Sequence, residues 1–340
     1  MKITLFEKGG ETPIAVIVWQ DNRALIDASD AILRKTLAEL YSKPLYRGRS
    51  VTQDGFMGYQ EIKLNPDEEE FFKETAYLLQ EMSFDVCLDG ERKNILVALD
   101  FDGTIWDSEE ECFLVSCEAF KLIGWPLPAI PDLRQKFKRG RFFPAIGKEF
   151  YSIIQWIGEN PQRDPQSMTP EEETALRQAA QFDSKADRFE VAFYQVRQEW
   201  RKNDFAGWAA VQRPYPGIID QIRVLEKRFS KVMIATTKFA DSAQELLATQ
   251  GLRLDAIGKE KTTDKMKQMI QLSKTYKKTF REMIFVDDLL MQVKAVKSLG
   301  ANVALAGWGY SSDRQKEEAK GLNIPVLKLD SFEDSLIKLF

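Results

Sequence analysis

The chain contains no histidine. That absence excludes Ser-His-Asp and Cys-His nucleophiles, His-ligated zinc and an imidazole general base. Acid–base chemistry near neutrality is left to carboxylates and lysine. Cysteine is scarce: Cys87, Cys112 and Cys117 are an odd number without metal-ligand spacing, expected to be small buried hydrophobes in a reducing compartment. No apolar run approaches the roughly 18 residues that a membrane-spanning helix needs. The opening MKITLFEKGGE has neither an apolar segment nor a small-residue cleavage site, so export is not expected and a cytoplasmic location is. The chain shows no internal repeat, low-complexity tract or Walker-type glycine loop. A net charge of −4 argues against a nucleic-acid partner, which would want a basic face. Carboxylates, and a hard cation bound through oxygen, are what remain.

What is present fits an ordinary globular protein of 340 residues, 44% hydrophobic and 29% charged, with room for two or three compact units. Residues 1–93 read as a small α+β domain of unknown role. Within it, PIAVIVW (13–19) is a predicted strand and SDAILRKTLAEL (29–40) an amphipathic helix. The stretch 46–64 reads as turns. Asn65-Pro66-Asp67-Glu68 reads as a helix start, with a cap, a first-position proline and first-turn acids. From residue 94 short Val/Ile-rich runs predict strands of a parallel sheet buried on both faces. These are ILVAL (95–99), VMIA (232–235), MIFV (283–286), NVALA (302–306) and IPVL (324–327). Helical patterns at 217–228, 239–251, 263–273 and 290–300 alternate with them. The expected fold class is α/β: a Rossmann-like doubly wound core over 94–107 and 214–340. Residues 108–213 are too long for a loop and read as an inserted helical cap, with Trp125, Trp156, Trp200 and Trp208 in its core.

Polar residues follow the predicted strands. Asp100-Phe101-Asp102-Gly103-Thr104 follows the first, Thr236-Thr237-Lys238 the second and Asp287-Asp288 the third. In open parallel sheets ligands bind beyond the carboxyl ends of the strands, so these residues are brought to one edge. The set suits phosphate-ester hydrolysis. A phosphoryl group repels a carboxylate unless a cation joins them, and Mg2+ takes a few carboxylates plus substrate oxygens. Asp100 is the candidate nucleophile and metal ligand. Asp102, two residues on, is the candidate acid–base and a second ligand. Gly103 permits a tight exit, and Thr104 is positioned to hydrogen-bond a neighbouring carboxylate. Thr236 would hold phosphoryl oxygens, with a lysine at a later helix start neutralising the charge. Asp288 or Asp287 would complete the metal site.

With these motifs in order, residues 95–340 resemble the haloacid dehalogenase-like hydrolase superfamily, and within it the phosphoglycolate phosphatases. DFDGTIWDS (100–108) resembles the first family motif, IATTK (234–238) the second and FVDDLLMQVKAVKSLG (285–300) the fourth. The resemblance implies a third-motif lysine, taken as Lys265, with Lys259, Lys261 and Lys267 competing in the same stretch. YPGI (215–218) and AGWGY (306–310) are similar to the subgroup as well. Asp287 stands where glycine is usual and Gln292 where a second acid is usual, which favours Asp288 as the main ligand. Thr237 stands where asparagine is frequent. The resemblance implies a phosphatase acting through aspartyl-phosphate on a small phosphorylated metabolite, with Mg2+ as cofactor and a mobile cap. Thr237, Lys238, Gly103 and Thr104 are candidate substrate contacts; Arg139 and Arg141 in FKRGRFFPAIGKEF (137–150) would read a second anionic group. A phosphomutase or phosphotransferase using the same aspartate, or a non-enzymatic regulatory binder, are the other readings. Oligomeric state carries no signal.

Overall fold

The computed structural model describes residues 93–339 and, before them, residues 2–6, 13–20, 23–28, 50–52, 59–63 and 85–89. The chain divides into two units, Met1–Arg92 and Lys93–Phe340. No helix among the described residues is long and apolar enough to cross a membrane.

The described part of the first unit is an antiparallel sheet. Its strands are β1 (Lys2–Phe6), β2 (Pro13–Gln20), β3 (Arg23–Ala28), β4 (Ser50–Thr52), β5 (Tyr59–Lys63) and β6 (Asp85–Asp89), in the order β4-β5-β3-β2-β1-β6. The expected strand at 13–19 is β2. The stretch expected to be turns instead contributes β4 and β5, paired with Val51 opposite Ile62. Polar strands of three and five residues carry little periodic signal, and sheet neighbours decide their conformation. The helices expected over 29–40 and from 65 lie outside the described residues.

The second unit begins with β7 (Lys93–Leu99), passes β8 (Trp106–Asp107) and enters a helical layer. That layer holds α1 (Glu109–Leu122), α2 (Leu133–Arg139), α3 (Gly147–Glu159), α4 (Pro170–Phe182), α5 (Ser184–Asn203) and α6 (Phe205–Ala210). Return is along β9 (Arg213–Pro214), which pairs antiparallel with β8. Then come α7 (Ile218–Arg228), β10 (Phe229–Ala235), α8 (Ala240–Thr249), β11 (Asp255–Ile257) and α9 (Lys265–Tyr276). After them follow β12 (Met283–Asp287), α10 (Leu290–Lys297), β13 (Asn302–Ala306), α11 (Asp313–Gly321), β14 (Val326–Leu327) and α12 (Phe332–Leu339).

The sheet is parallel, in the order β11-β10-β7-β12-β13-β14. β7 explains why its strands read as continuous apolar runs. Val97 and Leu99 pack with Ile222, Leu225, Leu246 and Leu336 on one face. Leu96 and Ala98 pack with Met269, Leu272, Val293 and Val296 on the other. Both faces are buried, so nothing selects for alternation. The chain runs from β7 outward to β10 and β11, then crosses back to β12 on the other side of β7. The carboxyl end of β7 is therefore the switch in strand order. Strand β11 was not expected: three residues, only one of them fully buried, leave no readable run.

The helical layer has its own core, built on Val115, Phe120, Phe150, Ile153, Phe189 and Phe193. Trp125 and Trp156 belong to it. Trp208 does not: it joins the core on one face of the sheet, with Ile218 and Ile222. Helix α6 lies at the base of the layer, where the chain is already returning to the sheet.

Candidate active site

Asp100 follows β7, and its backbone N–H donates to Val286 O at 2.8 Å, fixing it one residue beyond the strand. The chain then doubles back, with the N–H groups of Ile105 and Trp106 both donating to Phe101 O at 2.9 Å. Gly103 makes that reversal with φ of +92°, a region costly to a residue with a Cβ. A Cβ there would also lie 2.3 Å from Asp288 Oδ2. Glycine is required twice over.

Asp287 ends β12 and Asp288 follows it. With Asp100 they form a buried group in which one oxygen of each lies within 4.8 Å of the others. Asp287 Oδ1 accepts from Leu289 N at 2.8 Å, and Asp288 Oδ2 accepts from Tyr310 N at 2.8 Å. Their other oxygens, Asp287 Oδ2 and Asp288 Oδ1, are buried without a hydrogen-bond donor among the described residues. Lys265, the first residue of α9, reaches in from below. Its ammonium donates to Asp100 Oδ1 and to Ala235 O and lies 3.5 Å from Asp287 Oδ2. Asp264 caps that helix, accepting from Met266 N at 2.9 Å, which sets where Lys265 enters.

The electrostatics follow from three acids beside one ammonium. Burial pushes Asp100 up to about 7, opposed by Lys265 and reinforced by Asp287. Asp287 is raised by burial against the pull of Lys265. Asp288 is raised well above the ordinary carboxylate range by burial and by its two acidic neighbours. Buried carboxylate oxygens without donors, in excess of local positive charge, are what a hard divalent cation satisfies. The donor set fits Mg2+.

Asp102 stands apart from this group. Its Oδ1 accepts from Lys238 Nζ at 3.0 Å. Burial disfavours its charge, but Lys238, Arg197 and Arg141 outweigh that and hold its pKa below the usual range. Asp102, also expected as a metal ligand, is not among the three carboxylates that cluster. Thr236 is fully buried beyond β10, and its Oγ1 accepts from Lys238 N at 3.0 Å. Thr237 and Lys238 line a cavity of about 30 Å³ with Asp100 and Asp102.

The remaining expected residues divide. Arg141, in the turn after α2, is buried and lines the same cavity. Arg139 does not: its guanidinium pairs with Asp164 at the surface, with over half its side chain exposed. Thr104 is buried with its hydroxyl unpartnered among the described residues, so the expected bond to a carboxylate is not made. Of the competing lysines, Lys259 lies over the Tyr194 ring at 3.4 Å and Lys267 is an exposed surface residue.

Sequence reasoning missed Arg197 on α5, which lines the cavity opposite Asp102. Glu111 holds it through two bonds, at 2.7 and 2.6 Å, and also accepts from Trp208 Nε1 at 3.0 Å. Glu111 is 86 residues from Arg197 along the chain; no local pattern announces such a pair.

The family model for haloacid dehalogenase-like hydrolases matches residues 96–300. Among solved structures, the chain is similar to a predicted phosphoglycolate phosphatase from Haemophilus somnus 129pt, with 17% identity and a TM-score of 0.50 over 74% of this chain and 100% of that one. It is similar also to a predicted phosphatase from Clostridium acetobutylicum, with 15% identity and a TM-score of 0.52 over 72% of this chain and 99% of that one. No curated protein sequence matches. At such identities the structural likeness speaks for the fold. The family match covers more than half of the chain and includes Asp100, Thr236, Lys265, Asp287 and Asp288. The chain therefore belongs to the haloacid dehalogenase-like hydrolase family.

Proposed function

We propose that this hydrolase is a phosphatase that cleaves a small phosphate monoester in two steps through Asp100, with Mg2+ as cofactor. The observation that carries the reading is the meeting of Asp100, Asp287 and Asp288 around donor-free buried oxygens, with Lys265 beside them. Asp100, Asp287 and Asp288 would hold the cation, which when bound offsets the charge between carboxylate and phosphoryl group.

In the first step a carboxylate oxygen of Asp100 bonds to phosphorus and the bond to the ester oxygen breaks. Asp102 gives the departing oxygen its proton. In the second step Asp102 takes a proton from a water whose oxygen attacks phosphorus, the aspartyl bond breaks, and phosphate leaves. Lys265 favours the ionised form of Asp100 and holds it in place. Lys238 keeps Asp102 charged at rest; an anionic phosphate entering the site competes for that ammonium and raises the proton affinity of Asp102. Thr236, Thr237 and the adjacent backbone hold the phosphoryl oxygens.

The substrate class is a small phosphorylated metabolite with a second anionic group. Arg141 supports this, since its Nε is buried without an acceptor among the described residues, as does the nearby Arg197. The test is a panel of metabolite phosphates assayed with Mg2+ and with EDTA. Phosphate release that needs Mg2+, and that Asp100→Asn abolishes, is expected. An Asp100→Asn protein with normal turnover would refute the assignment, and a phosphorylated acceptor among the products would make the protein a phosphotransferase.

A further inference from the structure

The turn after β13, Gly307 to Ser311, touches three separate parts of the site. Gly309 packs against the first, where a Cβ would lie 2.2 Å from Gly103 O and 2.3 Å from Asp288 Cβ. Tyr310 N–H donates to Asp288 Oδ2 at 2.8 Å. The Tyr310 hydroxyl accepts from Ser108 N at 2.8 Å and donates to Asp107 Oδ1 at 3.1 Å. Its ring lies under the Arg141 guanidinium, 4.2 Å from the centroid.

Asp107 and Ser108 are where the chain leaves the sheet layer, in and just after β8. Arg141 belongs to the helical layer. The cavity between the layers, about 30 Å³, has room for roughly one water. A phosphate monoester is several times larger, so the layers must part to admit one and close to exclude solvent. Any such motion bends the crossings at β8 and β9 and lifts Arg141 from the Tyr310 ring.

We propose that Tyr310 is a positioning residue that ties the closed state of the helical layer to the acidic cluster. Its hydroxyl pins the crossing, its ring seats Arg141, and its backbone N–H orients Asp288. One side chain thereby gains all its partners only when the layer is closed, and the same residue keeps one metal-binding carboxylate aimed. The need for the layers to part rests on the phosphatase reading, but the contacts themselves are made without substrate, so their effect on exchange can be measured whether or not that reading holds.

The experiment is hydrogen exchange by mass spectrometry on the full chain, comparing Tyr310→Phe, Tyr310→Ala and Trp308→Phe with the parent. Trp308 sits in the same turn but donates to Thr104 O and reaches neither Arg141 nor the crossing. Tyr310→Phe loses two hydrogen bonds, so amides of the cavity-facing residues 145–147 are expected to exchange roughly tenfold faster. Tyr310→Ala, lacking the ring as well, should exceed that. Protection in β7 and β12 should stay as in the parent, and Trp308→Phe should leave the exchange of residues 145–147 as in the parent. Faster exchange confined to Ser108 would overturn the proposal, because the hydroxyl would then act locally. So would a uniform loss of protection that includes β7, which would make it a fold-wide support.

Discussion

Asp100 and Asp287 share one buried ammonium, Lys265, with Asp288 crowded beside them, and that imbalance governs what substitutions do. Lys265→Met leaves the acids uncompensated and should destabilise the metal-free protein by about 3–5 kcal/mol, the usual cost of breaking a buried ion pair from one side. Urea unfolding in EDTA measures it. Asp100→Asn removes the oxygen proposed to attack phosphorus and should lower turnover by at least about a thousandfold while leaving the fold intact by circular dichroism. Gly103→Ala forces a side chain into a left-handed conformation, worth about 1–2 kcal/mol, and into Asp288. Cation affinity by calorimetry should fall further than the melting temperature does. Much at this scale was legible beforehand, because the acids follow apolar strands directly and strand ends are easy to find. Lys265 was distinguishable from Lys259 and Lys267 only by which side of a helix start points at the sheet. Arg139 and Arg141 looked equivalent two residues apart. One turns to the surface toward Asp164; the other is buried over Tyr310 and Phe150.

At the scale of elements, α1 and α5 are joined through Glu111 and Arg197, both under 5% exposed. Although burial opposes its charge, Arg197 together with Lys238 and Trp208 holds the Glu111 pKa below the ordinary range. A carboxylate with a depressed folded pKa contributes stability above its unfolded value, near 4.5. That contribution is lost as pH falls through the folded value. Glu111→Ala should cost about 3–5 kcal/mol near neutrality, because Arg197 is left buried and unpaired. Replacing both residues by methionine should recover much of this. Chemical denaturation of the three proteins at pH 7 separates the cases. Among the elements missed from the sequence, β4, β5 and β11 are short strands whose stability comes from neighbours. The long helices, by contrast, carry their periodicity, and the central strands their unbroken apolar runs, within themselves.

For the molecule as a whole, proton binding and the proposed cation binding are expected to be linked. Asp100 has a folded pKa of about 7 against an ordinary value of 3.8. Between these values the folded state keeps a proton that the unfolded chain has lost, so stability falls as pH rises across that window. In EDTA the melting temperature should decline from about pH 4 to about pH 7 on this account. Added Mg2+ should raise it most at pH 7 and above, since a cation binds only the deprotonated carboxylates. Differential scanning calorimetry across pH, with and without Mg2+, would contradict this if the increment were largest in acid. Because every residue of the site lies within the second unit, a fragment beginning at Lys93 is expected to fold and to keep the full rate of the reaction.

The sequence by itself determined the α/β architecture and the places where acids follow strands buried on both faces. Periodicity and strand-end residues are local properties, readable one segment at a time. Only the tertiary structure decided the partners: Lys238 on Asp102, Glu111 on Arg197, Tyr310 between the acidic cluster and the crossing. Such pairs join residues 22 to 203 positions apart. Their energy depends on burial and orientation that exist only once the layers have packed.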